Sequence, residues 1–472
     1  MSDYKLVCGL ETHVELATKT KIFCNCTTAF GGAPNTHCCP VCTGQPGAIP
    51  VLNQQAVKYA VRAGLALHCK INNHSHMDRK NYTYPDLPKA YQISQFDEPV
   101  CEGGYIELDS GKRIGITRIH IEEDAGKLVH EGTVTYVDYN RGGVPLIEIV
   151  SEPDIETAEE AKEYAEKLQL IMRAIGVSDC KMQEGSMRCD CNVSIHKEGT
   201  PFGTRTEIKN VSSLSNIEKA IKAEMIRQED MIDSGESVRQ ATMRYDADAD
   251  ITYIMRLKEN SDDYRYFPEP DILRFYIPEA FVEEEQGHIP ELPVEKKRRY
   301  VEELGLSEEV VSQLYKYKRV TDFFDGVVGS GATAKNTANL IIKALYSCMA
   351  TEEDKENFEI SVSVEEMSKL VKFVDEKKLN FNTAAETLAK MNESGKPVSE
   401  FVKAEDVAGL SEEDLVRICR EAVEANPKAV EDIRSGKDKA INVMFGYVMK
   451  NTRGKADVSV AAKIIKDIIF DK

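Results

Sequence analysis

Between residues 5 and 155 apolar and polar positions alternate with a period of two, in short runs broken by Gly, Pro and Asn. That pattern predicts strands joined by turns. The run over 8–16 is the clearest. As a strand it places Leu10, Val14 and Leu16 on one side and Glu11, His13 and Glu15 on the other. The period then changes. Residues 157–175 read as an amphipathic helix, with Leu168, Ile171, Met172 and Ile175 at helical spacing. Thr157 and Glu160 form a capping-box pattern at its start, and Gly176 stands where a C-terminal cap belongs. Strand-like runs return at 191–195 and 205–209, and a second helix is expected after Ser215 through Ile217, Ile221 and Met225.

After the Pro-rich stretches 267–270 and 290–293 the chain becomes a series of short amphipathic runs rich in Glu and Lys. A further junction falls at Lys396-Pro397-Val398-Ser399 and the acidic run near Glu405. The expectation is an α+β chain: a sheet-rich unit over 1–293, a helical domain over 294–400 and a small helical tail over 401–472. A length of 472 residues agrees with several cores rather than one.

Composition narrows the class. No run approaches the ~20 apolar residues that cross a bilayer, and the start lacks a basic segment followed by an apolar one. A cytoplasmic protein without a membrane role is expected. The net charge of −19 argues against broad nonspecific binding of nucleic acid but leaves room for a local basic patch. Trp is absent, so any stacking falls to Tyr, Phe or His.

Thirteen cysteines in such a chain read as free thiols, with a tight cluster holding metal. Cys24-x-Cys26 is followed by Cys39-Pro40-Val41-Cys42, two thiolate pairs at the spacing of a closed tetrahedral Zn²⁺ site. Cys38 is a substitute for Cys39, but the two-residue spacing favours Cys39 with Cys42. Such a site is structural. Cys180, Cys189 and Cys191 read as isolated thiols.

Acidic residues occur where they are expensive. Besides Glu11 and Glu15 beside His13, Glu148 sits at the centre of Leu146-Ile147-Glu148-Ile149-Val150. In the run from Arg118 to Lys127, continued alternation puts Glu123 on the face of Ile119 and Ile121. A buried ionised carboxylate costs several kcal/mol unless it is paired. Two explanations stand: ion pairing to Arg141 or Arg118, or an oxygen-liganded cation such as Mg²⁺. Three acidic segments in one sheet domain favour the cation. No P-loop accompanies them, since the stretches 104–112 and 329–332 lack its spacing.

Several long motifs carry a resemblance. They are Asp78-Arg79-Lys80-Asn81-Tyr82 and its continuation to Gln95, the stretches 120–127 and 138–154, and Glu184-Gly185-Ser186-Met187-Arg188-Cys189-Asp190-Cys191-Asn192. Arg205-Thr206-Glu207-Ile208-Lys209-Asn210 and Asp263-Tyr264-Arg265-Tyr266-Phe267-Pro268-Glu269-Pro270 belong with them. Essentially end to end, the chain resembles the B-subunit family of the bacterial tRNA-dependent amidotransferases, GatB/GatE. The resemblance implies an N-terminal cradle domain with an antiparallel sheet, then a helical domain and a helical tail. It implies ATP-dependent phosphorylation of the side-chain carboxylate of Glu-tRNA(Gln) or Asp-tRNA(Asn), after which ammonia displaces phosphate. The ammonia would come from the glutaminase, or A-subunit, with the C-subunit completing a heterotrimer.

Carried onto this sequence, the family implies Mg²⁺ at His13, Glu123 and Glu148, with Glu11 beside them in the catalytic set. Lys80, Tyr82, Ser186, Asp190 and Lys209 fall around ATP, and Lys89 along the ammonia path. For Tyr82 a packing role, and for Arg79 an ion-pair role, stay open. Lys437, Lys450, Arg453 and Lys455 in the tail are expected to meet tRNA. The chain departs from the family in Cys38 before the knuckle and in Cys191, where a small apolar residue is more usual. It lacks the large insertion after residue ~270 that marks the archaeal E-type relatives.

Overall fold

A computed structural model describes residues 3–257, 264–402, 412–435, 440–452, 456 and 458–470. The chain divides into two compact units, Met1–Pro293 and Val294–Lys472. Among the described residues no helix is long and apolar enough to cross a membrane.

The first unit is built on a ten-stranded sheet. In chain order its strands are β1 (Tyr4–Glu15), β2 (Lys70–Ile71), β3 (Cys101–Glu102), β4 (Tyr105–Glu107) and β5 (Arg113–Glu123). They continue with β6 (Pro145–Ser151), β7 (Met187–Lys197), β8 (Thr206–Val211), β9 (Ala241–Asp246) and β10 (Ile251–Leu257). The spatial order is β10-β9-β8-β7-β1-β6-β5-β3-β2, with β4 added to β5. The expected antiparallel pattern has one exception, since β8 and β9 run parallel with Glu207 opposite Thr242.

Register decides what each face carries. Directly opposed residues share a face, and His13 opposes both Glu148 on β6 and Arg188 on β7. Glu148 in turn opposes His120 on β5. The other face holds Leu10, Val14, Ile119, Ile121, Ile147, Ile149 and Val193, all fully buried. Three helices cover it: α1 (Gln54–Ala66), α2 (Ala158–Ala174) and α3 (Leu214–Asp233). One face of the sheet is therefore core, and the other gathers ionisable groups.

The strand-like reading of 5–155 overlooked α1. Its buried residues are mostly Ala and Gly, with Val57 and Val61 the largest, so the bulky stripe that announces a helix is thin. A Cβ on Gly64 would lie 2.4 Å from Cys101 Sγ, which shows how closely α1 approaches the sheet. Helix α2 begins where the sequence places it, with the Thr157 hydroxyl accepting from Glu160 N. The box is incomplete, because the Glu160 carboxylate accepts from Glu156 N instead. Helix α3 starts earlier than expected, since Ser213 rather than Ser215 caps it by accepting from Asn216 N.

A separate three-stranded ladder places Asp78–Asn81 between Tyr91–Ser94 and Phe267–Pro268. It holds Lys80 near the polar face. The second unit is helical and has two apolar clusters. One gathers around Phe324, which meets Tyr300 edge to face at 4.9 Å, and the other around Cys419 and Met444.

Candidate active site

The polar face converges on β1, β5 and β6. His13 Nε2 lies 3.4 Å from Glu122 Oε1 and 3.6 Å from Glu148 Oε2. These spacings exceed a hydrogen bond and suit ligands grouped around a shared cation. Their three ligand atoms lie within 4.8 Å of one another. Behind them His120 Nε2 stands 3.2 Å from Glu148 Oε2 and 3.8 Å from Glu122 Oε2.

Electrostatics keep the carboxylates charged. Burial alone would raise Glu148, but His120, His13 and Lys80 hold it well below the usual carboxylate range. Glu122 is lowered in the same way, burial being outweighed by His120 and His13. Burial opposes the charge of His120, yet Glu148 and Glu122 push its pKa up to about 9. Neither arginine weighed as a structural partner takes Glu148. Arg141 Nε instead meets Asp124 at 3.2 Å, and Asp124 also pairs with Arg188 at 3.1 Å.

The acid on β5 that joins the cluster is Glu122, not Glu123. Adjacent residues of a strand point to opposite faces. Glu123 therefore turns away, where Lys89 Nζ donates to its Oε1 and Ile93 N donates to the same oxygen at 2.8 Å. Glu123 and Lys89 instead line a separate cavity of about 220 Å³ with Lys21, Cys24, Cys42 and Tyr91. Gly44, at φ +68°, is required on the wall of that cavity, since a Cβ there would meet Lys89 Cγ at 2.6 Å.

A second constellation adjoins the first on β1, β7 and β8. Glu11, Asp190 and Glu207 present oxygens within 4.8 Å of one another. Lys209 Nζ lies 3.0 Å from Asp190 Oδ2 and 3.4 Å from Glu207 Oε1, and Asn192 Nδ2 donates to Glu11 Oε1 at 2.8 Å. Burial opposes the Asp190 charge, yet Lys209 and His13 lower its pKa. Lys209 is raised despite burial by Asp190 and Glu207. Glu11 is raised, first by burial and then by Glu148 and Glu207.

Lys80 extends from the side ladder, with its Nζ 5.0 Å from the ring centre of Tyr264 and 5.9 Å from that of Tyr82. Burial works against its charge, but Tyr266, Glu122 and Glu148 raise it. The Tyr82 hydroxyl faces Gln92 Oε1 at 3.4 Å. Ser186 is placed in a turn, where its hydroxyl donates to Asp179 and accepts from Lys181 N at 2.7 Å. It is not joined to the cluster by any of these bonds. Glu122, His120, Glu207, Arg188, Tyr264 and Tyr266 were not singled out from sequence. Strict alternation through Arg118-Ile119-His120-Ile121-Glu122 carried the signal for His120 and Glu122, because the two isoleucines mark the core side.

The four knuckle cysteines come together as their spacing predicts, with Sγ atoms of Cys24, Cys26, Cys39 and Cys42 within 4.8 Å of one another. Cys42 Sγ accepts from Cys39 N at 3.1 Å, and its thiol is lowered to about 4, first by hydrogen bonding from Cys24. This all-sulfur set fits tetrahedral Zn²⁺. Cys38 Sγ instead faces Asn140 Oδ1 at 3.8 Å. Replacing Cys39 with Ser is expected to lower bound zinc by about one equivalent per chain relative to wild type. Elemental analysis of the folded protein checks this, and an unchanged zinc content refutes it. In the core, burial pushes the Cys180 and Cys189 thiols up to about 12 and Cys191 well above its ordinary value.

Of the expected tail residues, Lys450 is exposed at the end of the helix Ile441–Asn451. Lys437, Arg453 and Lys455 lie outside the described residues.

The structure thus joins a charged sheet face, carrying a His–Glu–Glu cluster and backed by helices, to a helical second unit. Residues 6–283 match the GatB/GatE catalytic domain and residues 322–469 the GatB domain, so the chain belongs to the GatB/GatE family. It is 46% identical over 476 residues to the aspartyl/glutamyl-tRNA(Asn/Gln) amidotransferase B-subunit of Caldicellulosiruptor saccharolyticus, covering 98% of this chain and 99% of that one. The protein of the same name from Thermoanaerobacter pseudethanolicus is 46% identical, with 98% and 99% covered. That from Carboxydothermus hydrogenoformans is 44% identical, with 99% of each chain covered.

Proposed function

We propose that this chain is the activating component of a tRNA-dependent amidotransferase. It phosphorylates the side-chain carboxylate of Glu-tRNA(Gln) or Asp-tRNA(Asn) with ATP and passes the acyl phosphate to ammonia. The observation that carries the reading is the cluster of His13, Glu122 and Glu148, flanked by Lys80 on one side and by Lys209 with Asp190 on the other.

The chemistry explains why such a face is needed. A carboxylate is a poor electrophile, whereas an acyl phosphate has a good leaving group. Phosphoryl transfer depends chiefly on positioning and on neutralising charge. Lys80 and Lys209 supply cations on opposite sides of the cluster, and Asp190 orients Lys209. Tyr82, Tyr264 and Tyr266 surround Lys80 and offer aromatic faces beside it. Mg²⁺ held by His13, Glu122 and Glu148, with Glu11 nearby, would neutralise the phosphates of the nucleotide. Zn²⁺ in the knuckle is structural.

The relatives are each named as one part of a larger amidotransferase, which supports a complex here too. In that complex the glutaminase A-subunit supplies ammonia and the C-subunit completes the heterotrimer. Lys89 and Glu123, which line the cavity beside the knuckle, form part of the ammonia route. Lys450, with Lys437, Arg453 and Lys455, contacts tRNA phosphates. The complex works in the cytoplasm.

The test is to copurify the chain with the glutaminase and its third partner, then supply ATP, glutamine and each misacylated tRNA. Gln-tRNA(Gln) or Asn-tRNA(Asn) together with ADP is the expected product. Release of the labelled amino acid carried by the tRNA, without amidated tRNA, would make the chain a hydrolase, and tRNA binding without ATP cleavage would make it a scaffold. Either outcome rejects the proposal.

A further inference from the structure

A second buried histidine sits in a constellation that the proposed reaction does not use. His76 is 2% exposed and lies two residues before Asp78, the first residue of the ladder strand Asp78–Asn81. Its Nε2 is 3.0 Å from Asp78 Oδ1 and 3.1 Å from Asp97 Oδ1. Its Nδ1 is 3.0 Å from Glu98 Oε2. All three neighbours are carboxylates, which accept hydrogen bonds and, when ionised, cannot donate them.

An imidazole carries at most one proton on each nitrogen, so a single Nε2–H cannot serve two oxygens equally. The charges also fail to balance. Three carboxylates face one imidazole, and among the described residues the one further cation paired with them is Arg274, whose Nη2 meets Glu98 Oε1 at 3.2 Å.

A metal ion resolves both difficulties. With Nδ1–H donating to Glu98, the Nε2 lone pair is free to bind a metal, and it points at two carboxylate oxygens. The carboxylate–histidine–metal arrangement is the usual way a ligating imidazole is oriented and made more basic. The carboxylates are themselves held. Asp78 Oδ2 accepts from Phe96 N at 2.9 Å, and Glu98 is held by Arg274. Zn–N and Zn–O bonds near 2.0–2.1 Å place tetrahedral ligands about 3.3 Å apart; the 3.0 and 3.1 Å here are hydrogen-bond distances without the ion, and the ligands need to part by only a few tenths of an ångström to admit it. The ligand atoms of His76, Asp78 and Asp97 all lie within 4.8 Å of one another.

We propose that His76, Asp78 and Asp97 bind a divalent transition-metal ion of the Zn²⁺ type, with Glu98 as the positioning carboxylate that orients His76. The site is distinct from both the cysteine knuckle and the His13 cluster. The Asp97 side chain is 66% exposed, which leaves one side open to solvent. Asp78 opens the strand that carries Lys80, while Asp97 follows the neighbouring strand Tyr91–Ser94. A bound ion ties these two strands together at one end and steadies the ladder that holds Lys80.

The experiment is equilibrium dialysis of the full chain against buffered Zn²⁺, followed by elemental analysis, in wild type, Asp97→Ala and Glu98→Gln. Asp97 is exposed, so its removal leaves the fold intact. Wild type is expected to hold one more Zn²⁺ per chain than Asp97→Ala. Glu98→Gln should need about 10- to 100-fold more free Zn²⁺ to fill that extra site. Zn²⁺ should also raise the unfolding temperature of wild type more than that of Asp97→Ala. Equal zinc in wild type and Asp97→Ala at every concentration overturns the site and leaves His76 a hydrogen-bonded ring only. Loss of the extra equivalent in Asp97→Ala with unchanged affinity in Glu98→Gln overturns the role given to Glu98.

Discussion

Glu122→Gln is expected to lower ATP-dependent amidation by on the order of 10²- to 10³-fold, about 3–4 kcal/mol of lost transition-state stabilisation. Glu123→Gln should leave the divalent-cation requirement unchanged. The contrast is sharp because the two residues are neighbours of the same type and differ only in the face they occupy. Glu122 shares its face with His13 and Glu148, whereas Glu123 is bound by Lys89 and Ile93 N. Neutralising Glu122 removes one charged ligand of the proposed Mg²⁺ site. Neutralising Glu123 leaves that site complete and disturbs the wall of the cavity beside the knuckle. Titrating ATP cleavage against Mg²⁺, with Mn²⁺ binding followed by paramagnetic resonance, separates the variants. If Glu123→Gln loses the ion and Glu122→Gln retains it, the assignment is reversed and the proposed centre fails.

Arg79→Met is expected to cost about 3–5 kcal/mol of stability in the Met1–Pro293 unit. The Glu269 side chain is fully buried, and Arg79 grips it with two bonds, Nε to Oε2 at 2.7 Å and Nη2 to Oε1 at 2.8 Å. The guanidinium also lies over the Tyr91 ring at 4.2 Å. Removing it strands a buried charge and removes a stacked group, and most of the loss comes from the uncompensated Glu269. Glu269→Gln should cost less, because a neutral amide is cheaper to bury and still accepts one of the two bonds. Denaturant unfolding of both variants checks the order. Equal losses, or a loss under ~1 kcal/mol for Arg79→Met, would show that the pair carries little. The same strand presents Lys80, so a loosened Arg79 is expected to lower activity along with stability.

Several features were legible in local sequence because local rules determine them. Alternation in 8–16 sorted Glu11, His13 and Glu15 from Leu10, Val14 and Leu16, since strand side chains take opposite sides in turn. Thr157 marked the start of α2 because its hydroxyl replaces a missing helical partner for Glu160 N. The spacing of Cys24, Cys26, Cys39 and Cys42 named a metal knuckle because tetrahedral sulfur ligation needs paired thiolates. Helix α1 escaped because its buried face is mostly Ala and Gly, with only Val57 and Val61 among larger apolar residues.

What the sequence determined by itself was which side chains share a strand face and which cysteines stand in pairs, for these depend on neighbours a few residues apart. Which strands lie side by side, and so which acids meet, was decided by the tertiary structure. Pairing Glu148 with both His13 and His120 requires three strands drawn from distant parts of the chain. The choice of Glu122 over Glu123 depends on the side of β5 turned to the helices, and the meeting of His76 with Asp97 and Glu98 depends on how the ladder closes. Each contact spans a loop whose closure is governed by packing elsewhere in the unit, so no local period in the chain encodes it.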